Sequence, residues 1–485
     1  MWKERLQENF HPVISGSGWF SRGEWQREQR ELGLQIPALR ARTPLMKALL
    51  LLAALAAFAP HSFAEAVKDR EGAVRQDKAA MENDKRWAYN DLTRAFAEAK
   101  RTGRPLLVVL RCVPCLSCAG IDSSVLTEPE MAPLLDQFVC ARVINANALD
   151  LSLFQFDYDL SFSALIFNAD RMIYGRFGSW THQKNQHDKS TAGFKRALEE
   201  ALQIHRGYPA NKLSLAGKQG VSTPYATPIN IPTLDGKYRM ELDWNGKVVP
   251  SCVHCHQIGD ALRLVHRDRK EPIPAELIYP MPAAETIGLT LAQDAVAKVE
   301  AVAKDSAASR AGLQAGDDLV SLNEQRLISI ADFSWALHRA PASGNIPAMV
   351  KRGGEMKSIT LALPDGWRSK SDISKRVGTW GMRGMAFGGM VLEDLPDQAR
   401  AERGLKNAGL TLLVKSVGQY GRHAAAKKAG FQKDDVILQL GDHLYGRLTE
   451  GELLGVLLQT YRVGEELPVT VLRGQQRVEL KLPMQ

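Results

Sequence analysis

Two cysteine clusters, Cys112-Val113-Pro114-Cys115-Leu116-Ser117-Cys118 and Cys252-Val253-His254-Cys255-His256, hold five of the chain's six cysteines. Their spacings point to different chemistries. In the second, the Cys-x-x-Cys-His order matches the attachment of a c-type haem. Cys252 and Cys255 would bond the vinyl groups, and His256 would ligate the iron. Zinc is an alternative, with Cys252, His254, Cys255 and His256 as donors, although four ligands within five residues do not easily form one tetrahedron. A disulfide between Cys252 and Cys255 is a third reading. A haem iron would also need a sixth ligand. Met281, in Tyr279-Pro280-Met281-Pro282, offers a thioether and His266 an imidazole.

The compartment bears on all three readings. Met46-Lys47 is followed by an apolar stretch from Ala48 to Ala59, a break at Pro60, and Ser62-Phe63-Ala64. This is the layout of a signal peptide over residues 46–64, with cleavage expected after Ala64. The stretch is too short for a stable membrane span. Residues 1–45 precede the natural start of such a peptide and read as a non-native leader, with Met46 as initiator. A periplasmic or otherwise exported chain meets conditions in which cysteine pairs close and c-type haem is attached.

A length of 485 residues exceeds one core and implies several domains, and 45% hydrophobic with 24% charged residues describes ordinary globules. The net charge is +8, and residues 1–47 contribute eight Lys or Arg against five Glu, so little of it argues for an acidic partner. Arg267-Asp268-Arg269-Lys270 and Lys427-Lys428 lack interleaved aromatic residues, so nucleic acid is set aside.

The elements around the first cluster follow from local pattern. Leu92, Phe96 and Ala99 mark an amphipathic helix ended by Gly103, and residues 105–111 form an apolar strand that delivers Cys112. A helix opening at Glu128-Pro129, a strand near 138–145, a hairpin turned by Asn168-Ala169-Asp170, and a helix over 191–205 complete the order. This succession resembles the thioredoxin fold over residues 85–206, with Cys115 and Cys118 at the two motif positions. The resemblance makes Cys115 the nucleophile, its thiol activated at a helix amino terminus, and Cys118 the resolving thiol. Cys112 is an additional thiol, read as a disulfide partner, a metal ligand or a small hydrophobe. Two departures from the thioredoxin pattern are Pro114, in place of a tryptophan, and Ser163, in place of a cis-proline. Cys140 lies in an apolar strand and takes no chemical role.

Residues 207–285 contain nine of the 23 prolines and read as an extended connector around the Cys-x-x-Cys-His segment. Beyond it, residues 311–322 align without gaps to 429–440, a repeat of period 118. Each copy resembles the turn and strand of a bacterial PDZ domain, giving PDZ-like domains over 286–365 and 380–485. In the first, Ile287-Gly288-Leu289 resembles the carboxylate-binding loop for peptide termini, and a helix near 329–339 walls the groove. In the second, Asp434 replaces the turn glycine.

The expected architecture is multidomain, α/β plus mostly-β: a thioredoxin-like α/β domain, a Pro-rich connector with the Cys-x-x-Cys-His motif, and two PDZ-like β-barrel domains. From residue 85 onward the chain resembles a bacterial family of thioredoxin-plus-PDZ (seleno)proteins, with Tyr174-Gly175-Arg176 and residues 207–212 as further matching stretches. That resemblance implies thiol–disulfide exchange with a disulfide-containing client or redox partner, and binding of protein or peptide termini. No G-x-S-x-G segment is present for a serine protease.

Overall fold

Asp91 accepts the N–H of Arg94 at 2.9 Å and so opens a helix that stops at Gly103 with φ +69°, as the sequence pattern requires. In the computed structural model, residues 69–111, 126, 128–160, 162–178, 191–405, 408–443 and 445–485 are described. Helices of nine residues or more are numbered: α1 (Arg70–Glu82), α2 (Leu92–Thr102), α3 (Thr191–Gly207), α4 (Cys255–Asp268), α5 (Ile330–His338), α6 (Val377–Phe387) and α7 (Glu450–Thr460).

The first sheet runs β1 (Trp87–Tyr89), β3 (Val139–Val143), β2 (Leu106–Arg111), β4 (Phe162–Phe167) and β5 (Ile173–Phe177). β1 and β2 are parallel to β3, and the β4–β5 hairpin is antiparallel. β2 is apolar from Leu106 to Leu110 because both of its faces are covered. Leu107 and Val109 pack with Phe194 and Leu198 of α3, while Leu106, Val108 and Leu110 pack with Ala95 and Ala99 of α2. The hairpin turns where Asn168 Oδ1 accepts the N–H groups of Asp170 and Met172, both at 2.9 Å.

The connector differs from expectation. Its prolines leave residues 251–271 clear, and α4 occupies that gap. Ile258, Ala261 and Val265 form its apolar stripe and pack on Leu151, Ile231 and Leu234. Proline density over the whole segment masked a helical period within it.

Two repeat units follow. The first holds the ribbon β6 (Leu289–Leu291) and β7 (Val299–Val302). Its second sheet comprises β8 (Asp318–Leu322), β9 (Gln325–Arg326), β10 (Gly344–Arg352) and β11 (Glu355–Leu363), in the order β11-β10-β8-β9. The second holds one antiparallel sheet in sequence order: β12 (Met390–Asp394), β13 (Leu412–Val417), β14 (Val436–Leu440), β15 (Glu466–Arg473) and β16 (Gln476–Pro483).

The aligned turns of the two units share their bonds. Asp317 binds Arg352 Nε at 2.6 Å and Asp435 binds Arg473 Nε at 2.7 Å. Each arginine also reaches a turn carbonyl, Gly312 or Gly430, at 2.8 Å. Gly316 turns at φ +92° and Asp434 at φ +71°, so the substituted residue keeps the left-handed backbone that aspartate tolerates better than most.

The first repeat unit is joined to the first sheet along the edge strand β5. A Cβ on Gly175 would lie 2.2 Å from Ile328 Cδ1 and 2.7 Å from Asp332 Oδ2, so only glycine permits this approach. On the next residue, the Arg176 guanidinium stacks 3.7 Å from the centre of the Trp335 ring, and Trp335 Nε1 donates to Gly217 O at 2.9 Å.

Candidate functional site

β2 ends at Arg111, one residue before the first cysteine cluster. Cys112, Cys115 and Cys118 lie outside the described residues. Beside the strand end, Asp77 of α1 accepts from Arg142 at 2.5 Å, Arg111 at 3.5 Å and the Tyr89 hydroxyl at 3.0 Å. Ser163 is buried on β4, opposite Leu110. Cys140 sits within β3, where burial pushes its thiol up to about 12, consistent with a packing role.

The second cluster reaches the same end of the sheet, which its distance in sequence did not announce. Arg111, Cys252, His254 and Cys255 line one small cavity with Val74 and Ile144. Cys252, Cys255 and Cys140 are free thiols. Cys252 Sγ contacts Ile144 O at 3.4 Å, Cys255 is the first residue of α4, and His254 caps that helix. Burial pushes the Cys252 thiol up to about 11. Burial and the neighbouring Cys252 push Cys255 up to about 12. Both therefore stay protonated near neutrality.

These positions do not fit a covalent haem. The cavity beside the two thiols is about 30 Å³, space for a water molecule or so, whereas ligand pockets begin near roughly 300 Å³. His256 lies 3.9 Å from Asp260 Oδ2, and His266 lies ten residues further along α4, about 15 Å at the helical rise. Met281 lines a different cavity. Among the described residues, no three His, Cys, Asp or Glu side chains cluster as a metal site.

The loop expected to bind peptide termini is present as the 3₁₀ turn Ala284–Ile287 followed by Gly288 at φ +85°. Ile287 and Leu289 send their side chains into the core of the first repeat unit. The Gly288 N–H is engaged by Glu285 O at 3.0 Å. The groove wall is α5, as expected, with Ile330, Ala331 and Ser334 facing Leu291 and Gln293 across a cavity of about 270 Å³. Sequence reasoning missed the opposite wall: Phe156, Ser163, Arg176 and Gly178 of the first domain line the same space. Only the matching stretch Tyr174-Gly175-Arg176 hinted at it.

At the end of α5, burial and the nearby Arg368 push His338 down to about 3. A folded-state value below the ordinary one means that its stabilising effect is complete above pH 6.5 and is lost as pH falls towards 3. Urea titrations should show unfolding free energy falling by about 2 kcal/mol from this residue between pH 6.5 and 4, after allowance for screening. The variant His338→Gln should flatten that part of the profile.

Comparison with known proteins places two domains in this frame. The thioredoxin-like family matches residues 87–169, and the PDZ domain family matches residues 285–363. The chain therefore carries a thioredoxin-like domain and a PDZ domain, combining mixed α/β structure with several β-sheets. It is similar to a probable serine protease do-like of Buchnera aphidicola subsp. Acyrthosiphon pisum (strain APS), 28% identical over 152 residues, covering 31% of this chain and 28% of the relative. A probable periplasmic serine endoprotease DegP-like of Buchnera aphidicola subsp. Schizaphis graminum (strain Sg) is 25% identical over 153 residues, covering 31% of this chain and 28% of the relative. The chain thus spans 28% of the length of these curated relatives. A solved serine endoprotease from Yersinia pestis is 23% identical over 16% of this chain and 27% of its own, with a TM-score of 0.15. Among the described residues, no helix is long and apolar enough to cross a membrane.

Proposed function

We propose that this protein is an exported thiol–disulfide oxidoreductase whose PDZ domain holds the client polypeptide. The observation that carries the reading is the thioredoxin-like sheet, whose central strand β2 ends one residue before the Cys112–Cys118 cluster. In this reading Cys115 attacks a client disulfide, forming a mixed disulfide and releasing one client thiolate. Cys118 then displaces the second client thiolate, leaving an oxidised Cys115–Cys118 pair and a client reduced by two electrons. An external dithiol returns the pair to its reduced form.

Periplasmic location is supported by the name of one relative and by the signal-peptide pattern at 46–64. Protease activity is not carried over, because the similarity spans 28% of those relatives and the chain lacks a G-x-S-x-G nucleophile segment. The unit over 380–485 is read as a second PDZ-like domain on the strength of its shared Asp–Arg turn. The covalent haem expected from Cys252, Cys255 and His256 is not part of this reading, which the small cavity beside those thiols does not support.

Reduction of insulin disulfides by the purified chain tests the proposal. Cys115→Ser should lower the rate at least about 100-fold, since without the attacking thiolate no mixed disulfide forms. A variant as active as the unmodified protein would instead favour the scaffold reading, in which the thioredoxin-like domain only docks partners.

A further inference from the structure

The cavity between α5 and the first sheet contains a charged group that the docking of the two domains does not use up. Arg176 is 2% exposed and lines this space. Its Nε donates to Gln155 O at 2.7 Å and its Nη1 to Lys218 O at 2.9 Å. Nη2 is buried and has no hydrogen-bond partner among the described residues. The other arginine on the cavity wall, Arg376, is already paired with Asp157 and Asp159.

An unpaired donor on a buried cation is costly, by more than the roughly 1–3 kcal/mol typical of a neutral group. An anion relieves that cost better than water does, because it adds a charge–charge attraction that is little screened in a buried site. The surroundings say what kind of anion fits. Leu291, Ile330 and Phe156 are apolar, and Ser163 and Ser334 are small. The carboxylates of Asp157, already paired with Arg376, and of Glu285 also line the space, so a singly charged group suits it better than a multiply charged one. The volume of about 270 Å³ admits a few side chains and no large head group. Among the described residues β6 pairs only with β7, so its other edge remains for an added strand beside α5.

We infer that the groove is a composite site in which the thioredoxin-like domain, through Arg176, binds a carboxylate of a peptide lying between β6 and α5. This rests on the PDZ reading of residues 285–363 and adds to it a selectivity residue from another domain. The carboxylate is either the peptide's own terminus or an acidic side chain. Either way the bound chain lies against Ser163, on the strand beside β2, which leads into the first cysteine cluster.

Three labelled valine–alanine pentapeptides test this by fluorescence anisotropy: one with a free terminal carboxylate, one amide-ended and neutral, and one amide-ended with an internal glutamate. A carboxylate-bearing peptide should bind the full chain at least about 10-fold tighter than the neutral one, the usual gain from a charge-assisted bond. The tighter of the two identifies the source of the carboxylate. Arg176→Lys, which keeps the charge but loses the fork, should shrink that preference. Ala331→Trp, which fills the groove from the α5 side, should abolish binding of all three, with thermal melting confirming that both variants fold. Equal binding of the three peptides, together with loss in Ala331→Trp, would overturn the role of Arg176 while leaving the PDZ groove intact. No binding by any peptide would overturn both.

Discussion

Replacing Asp332 with alanine should lower the unfolding free energy by about 3–5 kcal/mol, the usual result of removing one partner from a buried ion pair. Asp332 accepts the N–H of Arg176 at 3.0 Å and that of Ile328 at 3.2 Å, and it pairs with Lys218. Lys218 is 1% exposed, so without the carboxylate its ammonium would be left charged in an apolar setting or forced to give up its proton. Burial already pushes the Lys218 ammonium below its ordinary range, with Asp332 opposing. The double change Lys218→Met with Asp332→Leu should recover part of the loss, because the desolvated pair is replaced by packed hydrocarbon while the N–H groups of Arg176 and Ile328 lose their acceptor. Urea unfolding followed by circular dichroism measures both. A single variant within 1 kcal/mol of the unmodified protein would show that the pair is not what holds the PDZ domain to β5.

Arg376→Ala should cost a comparable roughly 3–5 kcal/mol, by leaving two carboxylates facing each other. Arg376 precedes α6, donates to Asp159 at 2.9 Å and pairs with Asp157, while Gly378 N donates to Asp159 at 3.0 Å. Burial would lower the guanidinium's proton affinity, but the two aspartates outweigh it and hold Arg376 firmly charged. Burial also raises Asp157, whereas Arg376 and Arg263 overcome that effect at Asp159 and hold it below the usual carboxylate range. Without the arginine both carboxyls would rise. The variant's deficit should then be full at pH 7 and shrink as pH falls towards 5 and protons take over the missing charge. Melting temperatures of both proteins across that range would reveal it, and a deficit constant with pH would point to lost packing instead.

Local patterns carried much of the first domain. β2 was legible because a strand covered on both faces is apolar without alternation, and the helix before it because Asp91 and Gly103 mark its two ends. The hairpin turn at Asn168 was equally local. The connector was read as extended because prolines were counted over 79 residues, while the 14-residue helix α4 fits between two of them. The Cys-x-x-Cys-His segment shows a different limit. The same five residues suit a haem or a helix start, and spacing alone does not show that Cys255 packs against residues more than 80 positions away. Arg176 was out of reach for the same reason, since its stacking partner Trp335 lies 159 positions on and no spacing rule links them.

The close approach at Gly175 has a consequence for how this gene can change. A PDZ domain is ordinarily a module that recombination can move whole, because its surface is finished on every side. Here the face carrying Ile328, Asp332 and Trp335 is completed by β5 and by residues 217–218 of the other domain. Transplanted alone, residues 285–363 would carry a raw hydrophobic and charged face into water. The two domains should therefore change together, with a substitution at position 175 judged by the fit of a helix more than 150 residues downstream.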